Sequence, residues 1–224
     1  IGQQLEERGD LEVGYCARPS EVDFRLIGPP ALLDEVDSAI RAAVGTWIYS
    51  DGAPLEFAVL HLLREKHLTL ATAESCTGGS LAGRLTNIAG ASDVFLAGYV
   101  TYTNEAKENA LGVPADLLAA HGAVSEPVAA AMAEGARRVS GAQFALSTTG
   151  VAGPGGGTEN KPVGTVFIGL ASAGHPTVVR RCYFPLDRVT FKHMTTSAAL
   201  DLLRRQILAL PLDLGGGSSS PQLG

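Results

Sequence analysis

A strand, a turn and a helix in direct succession constrain the fold of this chain more than any other segment. Residues 68–72 form an alternating apolar run with β-branched Thr, which predicts a β-strand. Residues 81–88 carry apolar side chains at helical spacing, which predicts a helix. The turn between them is small, polar and glycine-bearing, with the sequence Ala-Glu-Ser-Cys-Thr-Gly-Gly-Ser over residues 73–80. A strand that passes into a helix in this way is typical of an α/β sheet.

This turn has a chemistry of its own. It directs backbone N–H groups and the positive end of a helix dipole at one point, which suits a phosphate or an oxyanion. It also places two potential nucleophiles, Ser75 and Cys76, beside that point. The alternative is a purely structural turn in which Thr77 is the N-cap of the helix. Spacing alone leaves both interpretations open.

The chain beyond residue 53 continues to alternate between strands and helices. Further strands are predicted over residues 94–102, 144–148, 163–170 and 178–184. Helices are predicted over residues 55–66, from Asn104, from Pro114, over 127–139 and over 188–208, with Asn104 and Ser125 as N-caps of two of them. The last two strands are expected to pair antiparallel near a sheet edge. The pattern therefore predicts a three-layer α/β/α sandwich with a mixed sheet.

The first 52 residues differ from the rest in charge. They hold four basic and ten acidic residues, so the whole net charge of −6 lies in this segment. Strands are predicted at 12–16 and 22–27, a helix at 31–44 and a closing strand at 47–49, in an αββαβ-like order that indicates a small α+β module. Its acidity disfavours nucleic acid as a partner, and it lacks a Gly-x-x-Gly clamp. A packing or linking role is expected for residues 1–52.

Composition also excludes several classes of protein. The three cysteines and five histidines are scattered, so neither a disulfide framework nor a metal site is expected, and the cysteines fit a reducing cytoplasm. No apolar run approaches the roughly 20 residues of a membrane span. The chain starts at Ile1, which suggests a fragment, and residues 211–224 are low-complexity and expected to be disordered.

A second glycine-rich turn follows the predicted strand 144–148. Residues 149–157 read Thr-Gly-Val-Ala-Gly-Pro-Gly-Gly-Gly. They match neither a P-loop, which requires Lys-Ser/Thr after its last glycine, nor a dinucleotide fingerprint. Two such turns at neighbouring strand ends would nevertheless form one ligand site, because ligands of open α/β sheets bind outside the strand ends.

Five segments in order carry a resemblance to a known family. They are residues 73–79, 102–107 (Tyr-Thr-Asn-Glu-Ala-Lys), 122–125 (Gly-Ala-Val-Ser), 149–154 and 161–166 (Lys-Pro-Val-Gly-Thr-Val). Together they resemble the CinA C-terminal family, also called PncC, the nicotinamide-mononucleotide deamidases. The resemblance covers about residues 55–210, so residues 53–210 are predicted to be this amidohydrolase domain. Residues 1–52 resemble the KH-like domain that precedes it in longer CinA proteins.

The resemblance implies a serine amidohydrolase without a cofactor. Its substrate would be a small nucleotide, nicotinamide mononucleotide, and its products nicotinate mononucleotide and ammonia. Ser75 is implied as the nucleophile, Lys107 as the general base and Tyr102 as a positioning or proton-relaying hydroxyl. A lysine acts as a base only when neutral, so burial or a cationic neighbour must lower its pKa from about 10.4. The pyridinium charge of the substrate could contribute.

Binding roles are carried over in the same way. Backbone N–H groups of Thr77, Gly78 and Gly79 are implied as the oxyanion hole. The residues expected to hold ribose or phosphate are Thr149, Gly153, Gly155, Gly156 and Arg188, with Arg188 as a bidentate phosphate ligand.

Each of these side chains also has a structural interpretation. Without the family, Lys107 reads as a solvated surface lysine, Tyr102 as core packing and Arg188 as a partner of Asp187. Cys76 is interpreted as a buried structural thiol. Two alternative functions stay open, a catalytically silent nucleotide-binding or competence and damage-response module, and a scaffold in which only the front module matters. The Ala-rich helices could also pack in a homodimer.

Overall fold

The computed structural model describes residues 10–212, and these residues form two sheets with flanking helices. The strands in chain order are β1 Glu12–Arg18, β2 Glu21–Ile27, β3 Leu70–Glu74, β4 Phe95–Val100, β5 Phe144–Gly150, β6 Thr165–Ser172 and β7 His175–Tyr183. The α-helices are α1 Pro30–Val44, α2 Leu55–Glu65, α3 Ser80–Thr86, α4 Asn104–Leu111, α5 Ala115–His121, α6 Glu126–Ser140 and α7 Arg188–Ile207. Short 3₁₀-helices lie at Gly45–Trp47 and Ala91–Asp93.

The main sheet has five strands in the order β4-β3-β5-β6-β7. β3 pairs parallel with both β4 and β5, whereas β6 pairs antiparallel with β5 and with β7. The predicted mixed sheet with a terminal antiparallel pair is therefore confirmed. Because β3, β4 and β5 are parallel, their carboxyl ends meet at one edge, and the two glycine-rich turns leave the sheet there side by side.

Helices cover both faces of this sheet, which confirms the three-layer sandwich. On one face α2 and α7 pack on Leu146, Ile168 and Leu170 in the larger apolar core. On the other face α4, α5 and α6 pack on Ala71, Ala73 and Ala145. The alanines keep that second layer close to β3 and β5, so side chains from α4 can reach the strand ends. Among the described residues, no helix is long and apolar enough to cross a membrane.

The front module is a β-hairpin packed against one helix. β1 and β2 pair antiparallel over their full length, and Leu11 and Val36 are the buried residues of its small core. The prediction of a strand at residues 47–49 is wrong, because residues 45–47 form a 3₁₀-helix and no strand follows it there. The predicted αββαβ-like order begins with a helix before the strand at residue 12, and residues 1–9, like residues 213–224 of the predicted tail, lie outside the described residues.

Polar contacts join this module to the last helix. Arg204 Nη2 donates to Thr46 O at 2.8 Å, and the Arg205 guanidinium lies 4.6 Å from the Trp47 ring centroid. Both arginines are buried and share the carboxylate of Asp201. The charges that face the module are therefore paired within α7 itself.

Two predicted helix caps differ from the observed ones. The N-cap of α4 is Thr103 rather than Asn104, and the Thr103 hydroxyl accepts a hydrogen bond from Ala106 N. Ser125 does occupy the N-cap position of α6, but its hydroxyl donates to Gly122 O instead of capping the helix. Thr103 fits the cap because it combines extended backbone with an acceptor oxygen.

Candidate active site

The carboxylate of Glu74, the last residue of β3, organises the turn that follows. Oε2 accepts hydrogen bonds from Gly79 N and Leu81 N, each at 3.0 Å, and Oε1 accepts from Ala82 N at 2.8 Å. The side chain is fully buried. Glu74 therefore satisfies the free N–H groups at the start of α3 and supplies the negative charge that a helix N-terminus favours.

Thr77 belongs to the same network. Its hydroxyl donates to Glu74 Oε2 at 2.7 Å and is also hydrogen-bonded to the hydroxyl of Thr148 on β5 at 2.7 Å. Ser75 N donates to Thr148 O, which extends the β3–β5 pairing by one residue. The structural interpretation of Thr77 as N-cap is wrong, since Gly79 occupies that position with a left-handed φ of 91°. The turn is thus fixed to β5 at two residues, Ser75 and Thr77, both of which contact Thr148.

Ser75 and Lys107 meet at this fixed turn. Lys107 Nζ lies 3.2 Å from Ser75 Oγ and donates to Thr101 O at 2.9 Å, with Thr103 O at 3.4 Å. Ser75 is half-buried, whereas Lys107 is 1% exposed and so is not the solvated lysine of the alternative interpretation. A neutral amine has two N–H donors and one lone pair. If the two N–H groups donate to Thr101 O and Thr103 O, the lone pair of Lys107 Nζ is directed at the Ser75 hydroxyl.

Burial lowers the pKa of Lys107 below its ordinary value of 10.5. The cause is the loss of water around the ammonium, which disfavours the charged form. Among residues 10–212 the ammonium has no salt-bridge partner that would restore that charge. A lysine in this environment has the property that a general base requires.

Cys76, the neighbouring candidate nucleophile, is placed differently. Its side chain is buried, and burial raises the pKa of the thiol to about 12. A thiol with that pKa stays protonated near neutral pH and is a poor nucleophile. The interpretation of Cys76 as a structural thiol agrees with this placement.

The N–H groups expected to form an oxyanion hole are mostly used within the turn. Gly78 N donates to Ser75 O at 3.1 Å and Gly79 N donates to Glu74 Oε2. Of the three, the Thr77 N–H is the one that has no acceptor among the described residues. These two hydrogens hold the turn closed, and the assignment of Gly78 and Gly79 as donors to substrate stays a prediction.

Arg188 and Tyr102 are brought together with Gly153 at the opening of the same site, which is called the rim below. Arg188 Nη2 donates to Tyr102 OH at 2.7 Å, and Arg188 Nη1 donates to Gly153 O at 2.9 Å. Tyr102 makes no hydrogen bond to Ser75 or Lys107 within residues 10–212. Asp187 does not pair with Arg188 but caps α7: it accepts from the Thr190 hydroxyl, from Thr190 N and from Val189 N, and these bonds lower the pKa of its carboxyl.

The second glycine-rich turn, residues 149–157, completes the rim through Gly153. Gly155 and Gly156 are exposed, and Gly153 is buried with a φ of 77°, a conformation that glycine adopts without strain. Thr149 is buried, and its hydroxyl donates to Ala123 O at 2.7 Å. Thr149 therefore anchors the segment before α6, and its hydroxyl hydrogen is not free for a ribose or phosphate. No group of three or more metal-ligating side chains occurs in the part of the chain that the structure describes.

Sequence comparison places this site in a family. The family model of the CinA C-terminal domain matches residues 53–207. The chain belongs to the CinA family. A CinA-like protein of Akkermansia muciniphila is 49% identical over 201 residues, which cover 89% of this chain and 49% of that protein. A CinA-like protein of Geobacter sulfurreducens is 46% identical over 209 residues, which cover 90% of this chain and 50% of that protein.

Solved CinA structures share the fold. The competence/damage inducible protein CihA of Agrobacterium tumefaciens is 42% identical with a TM-score of 0.65, over 67% of this chain and 92% of that one. A CinA superfamily protein of Klebsiella pneumoniae is 35% identical with a TM-score of 0.67, over 69% and 96%. The expected CinA membership is thereby confirmed. The chain spans about half the length of the curated relatives it matches.

The sequence analysis gave no role to three residues that lie at the site of this CinA domain. Glu74 and Thr148 fix the turn of residues 73–80, here called the nucleophile turn after the predicted role of Ser75, and Lys192 of α7 places its Nζ 3.7 Å from the position that a Cβ on Gly78 would occupy. An acidic residue directly before a turn that opens a helix is a capping signal that could have indicated Glu74. Thr148 and Lys192 gave no such signal, because both act through contacts that are distant in sequence.

Proposed function

We propose that this CinA domain is a serine amidohydrolase that hydrolyses the carboxamide of nicotinamide mononucleotide to nicotinate mononucleotide and ammonia. The observation that carries the proposal is the 3.2 Å contact between Ser75 Oγ and the buried Lys107 Nζ. A hydroxyl beside a lysine of lowered pKa is a nucleophile–base pair of the kind that cleaves amides. The substrate class comes from the family resemblance of the five segments.

Acylation would begin with Lys107 in its neutral form. Its Nζ removes the proton of Ser75 Oγ while the oxygen attacks the carboxamide carbon, and the carbonyl oxygen becomes an oxyanion. The Thr77 N–H is the turn donor left to stabilise that charge. When the C–N bond breaks, the Lys107 ammonium returns its proton to the amine, which leaves as ammonia. A nicotinoyl ester on Ser75 remains.

Deacylation would use the same base a second time. Lys107 removes a proton from a water molecule that attacks the ester carbon. The bond from that carbon to Ser75 Oγ then breaks, and the Lys107 proton returns to Ser75. The released carboxylic acid loses its proton to solvent, and nicotinate mononucleotide is the product. Every proton transfer in the cycle therefore passes through one amine.

The rim would hold the remainder of the nucleotide. Two of the five N–H donors of Arg188 are bound to Gly153 O and Tyr102 OH, so three are available for a phosphate. The two bound donors fix the plane of the guanidinium, which reduces the entropy lost when a ligand binds. Tyr102 accordingly acts on Arg188, and we assign it no proton transfer.

The test is ammonia release from nicotinamide mononucleotide by the purified protein. Wild type and Cys76→Ala are expected to release ammonia, whereas Ser75→Ala is expected to lose at least about 10³-fold in rate. Equilibrium binding of the same nucleotide is measured in parallel. Binding without ammonia release by the wild type would favour the catalytically silent nucleotide-binding module, and neither binding nor release would overturn the proposal.

A further inference from the structure

Lys192 is a cation at the site to which no role has been given above. It lies on α7 and is half-buried, with its Nζ 3.7 Å from the Cβ position of Gly78 in the nucleophile turn. Within residues 10–212 its ammonium has neither a hydrogen bond nor an ion pair. A surface lysine usually extends into solvent, whereas the Nζ of Lys192 lies against the turn that contains Ser75.

Lys192 and Arg188 lie on the same side of α7. Residues four apart in a helix share a face, so both cations are directed toward the edge of the sheet where the two glycine-rich turns meet. Arg188 reaches Gly153 on one turn, and Lys192 reaches Gly78 on the other. The two positive groups therefore flank the opening of the site from one helix.

Two acidic groups of the adjoining elements, Asp187 and Glu74, are already used. Asp187 accepts hydrogen bonds from Thr190 Oγ1 and from backbone N–H groups of α7. Glu74 is fully buried and has four donors of the turn around it. The flanking cations thus have no counter-charge of their own in the described residues, and an anion of the ligand would supply one.

We propose that Lys192 binds the phosphate of the substrate together with Arg188 and thereby selects phosphorylated over unphosphorylated nicotinamide ribosides. This inference rests on the proposed function and adds a specificity-determining residue to it. Ser75 and Gly78 are the ends of one hydrogen-bonded turn, so their Cα atoms are less than about 7 Å apart. Lys192 therefore lies at the end of the turn opposite Ser75, where a phosphate joined to the carboxamide through the ring and a sugar can reach it.

The position also separates this role from proton transfer. Lys107, and not Lys192, contacts the Ser75 hydroxyl. Removal of Lys192 should consequently weaken binding of the phosphorylated substrate and leave the chemical step unchanged. A hydrogen bond to a charged group contributes enough to change affinity about 10- to 100-fold when it is lost.

The experiment compares two substrates that differ by the phosphate alone, nicotinamide mononucleotide and nicotinamide riboside. Lys192→Met, Lys192→Arg and the control Lys66→Met, which removes an exposed lysine at the end of α2, are assayed for KM and kcat by ammonia release. Binding of nicotinamide mononucleotide to each variant is measured by calorimetry. Thermal unfolding verifies that each variant is folded.

Lys192→Met is expected to raise the KM and Kd for the mononucleotide at least about tenfold, with kcat and all values for the riboside unchanged. Lys192→Arg should restore most of the loss, and Lys66→Met should match the wild type. Equal effects on both substrates, or no effect on either, would overturn the assignment. If the wild type binds the mononucleotide without releasing ammonia, the amidase proposal fails while calorimetry still decides the role of Lys192.

Discussion

Replacement of Glu74 by glutamine exchanges one carboxylate oxygen for an NH₂ group in the network that holds the turn containing Ser75. The three donors on Oε2 are Thr77 Oγ1, Gly79 N and Leu81 N, and Ala82 N is the donor on Oε1. The single amide oxygen of glutamine can keep the Oε2 position. Its NH₂ group then faces the Ala82 N–H, so that two donors oppose each other where a hydrogen bond existed.

The expected cost has two parts. An unsatisfied, partly buried N–H costs about 1–3 kcal/mol. Loss of the negative charge at the start of α3 costs about 0.3–1 kcal/mol more. Together these give a loss of about 1–4 kcal/mol in the free energy of unfolding, which corresponds to a decrease in Tm of about 3–16 °C for a domain of this size. Because the same groups fix the turn, we also expect kcat/KM to decrease about tenfold or more.

The assay is thermal and urea unfolding of Glu74→Gln beside a matched control. Glu105→Gln makes the same change in the first turn of α4, at an exposed side chain. The control should lose less than about 1 kcal/mol, since the dipole contribution is the only one removed. If Glu74→Gln were no more destabilised than Glu105→Gln, the role of Glu74 in holding the turn would be refuted.

Three further predictions concern the base, the packing and the rim. The rate of ammonia release should rise with pH as Lys107 loses its proton, with a midpoint below 10.5 because burial lowers its pKa, and a pH-independent rate would contradict the assignment. Gly135→Ala should lower the free energy of unfolding by more than about 2 kcal/mol in urea titration, since a Cβ there would overlap Leu111 O, whereas Gly83→Ala meets open space and should cost nothing. Arg188→Lys should raise KM about tenfold in steady-state assays, because one ammonium cannot replace the planar fork, and unchanged KM would exclude Arg188 from binding.

The elements of the main sheet could be predicted because each one carries its own local signal. β3, β5 and β6 are short apolar runs between turn residues, and α7 begins at Arg188, directly after Asp187, whose carboxylate caps it. The prediction of a closing strand at 47–49 was wrong for a physical reason. Trp47 packs under the Arg205 guanidinium of α7, and a sequence pattern gives no information about a partner that is distant in the chain.

The proximity of Ser75 and Lys107 could be predicted from the sequence, whereas the groups that support them could not. Ser75 and Lys107 lie in segments that the family resemblance covers, and their contact agrees with it. The sequence does not reveal that Glu74 already accepts from Gly79 N, so it left the N–H groups of Thr77, Gly78 and Gly79 as equal candidates for the oxyanion hole. The bond from the Thr149 hydroxyl to Ala123 O is not visible in the sequence either, since it joins two segments 26 residues apart.

The central claim is that Ser75 and Lys107 act as one unit, and a double-mutant cycle in kcat/KM for ammonia release tests it most directly. Ser75→Ala and Lys107→Met should each lose at least about 10³-fold, and the double variant should lose no more than either single variant. Losses that multiply in the double variant, or a single variant that keeps wild-type activity, would contradict a mechanism in which the lysine acts through the serine.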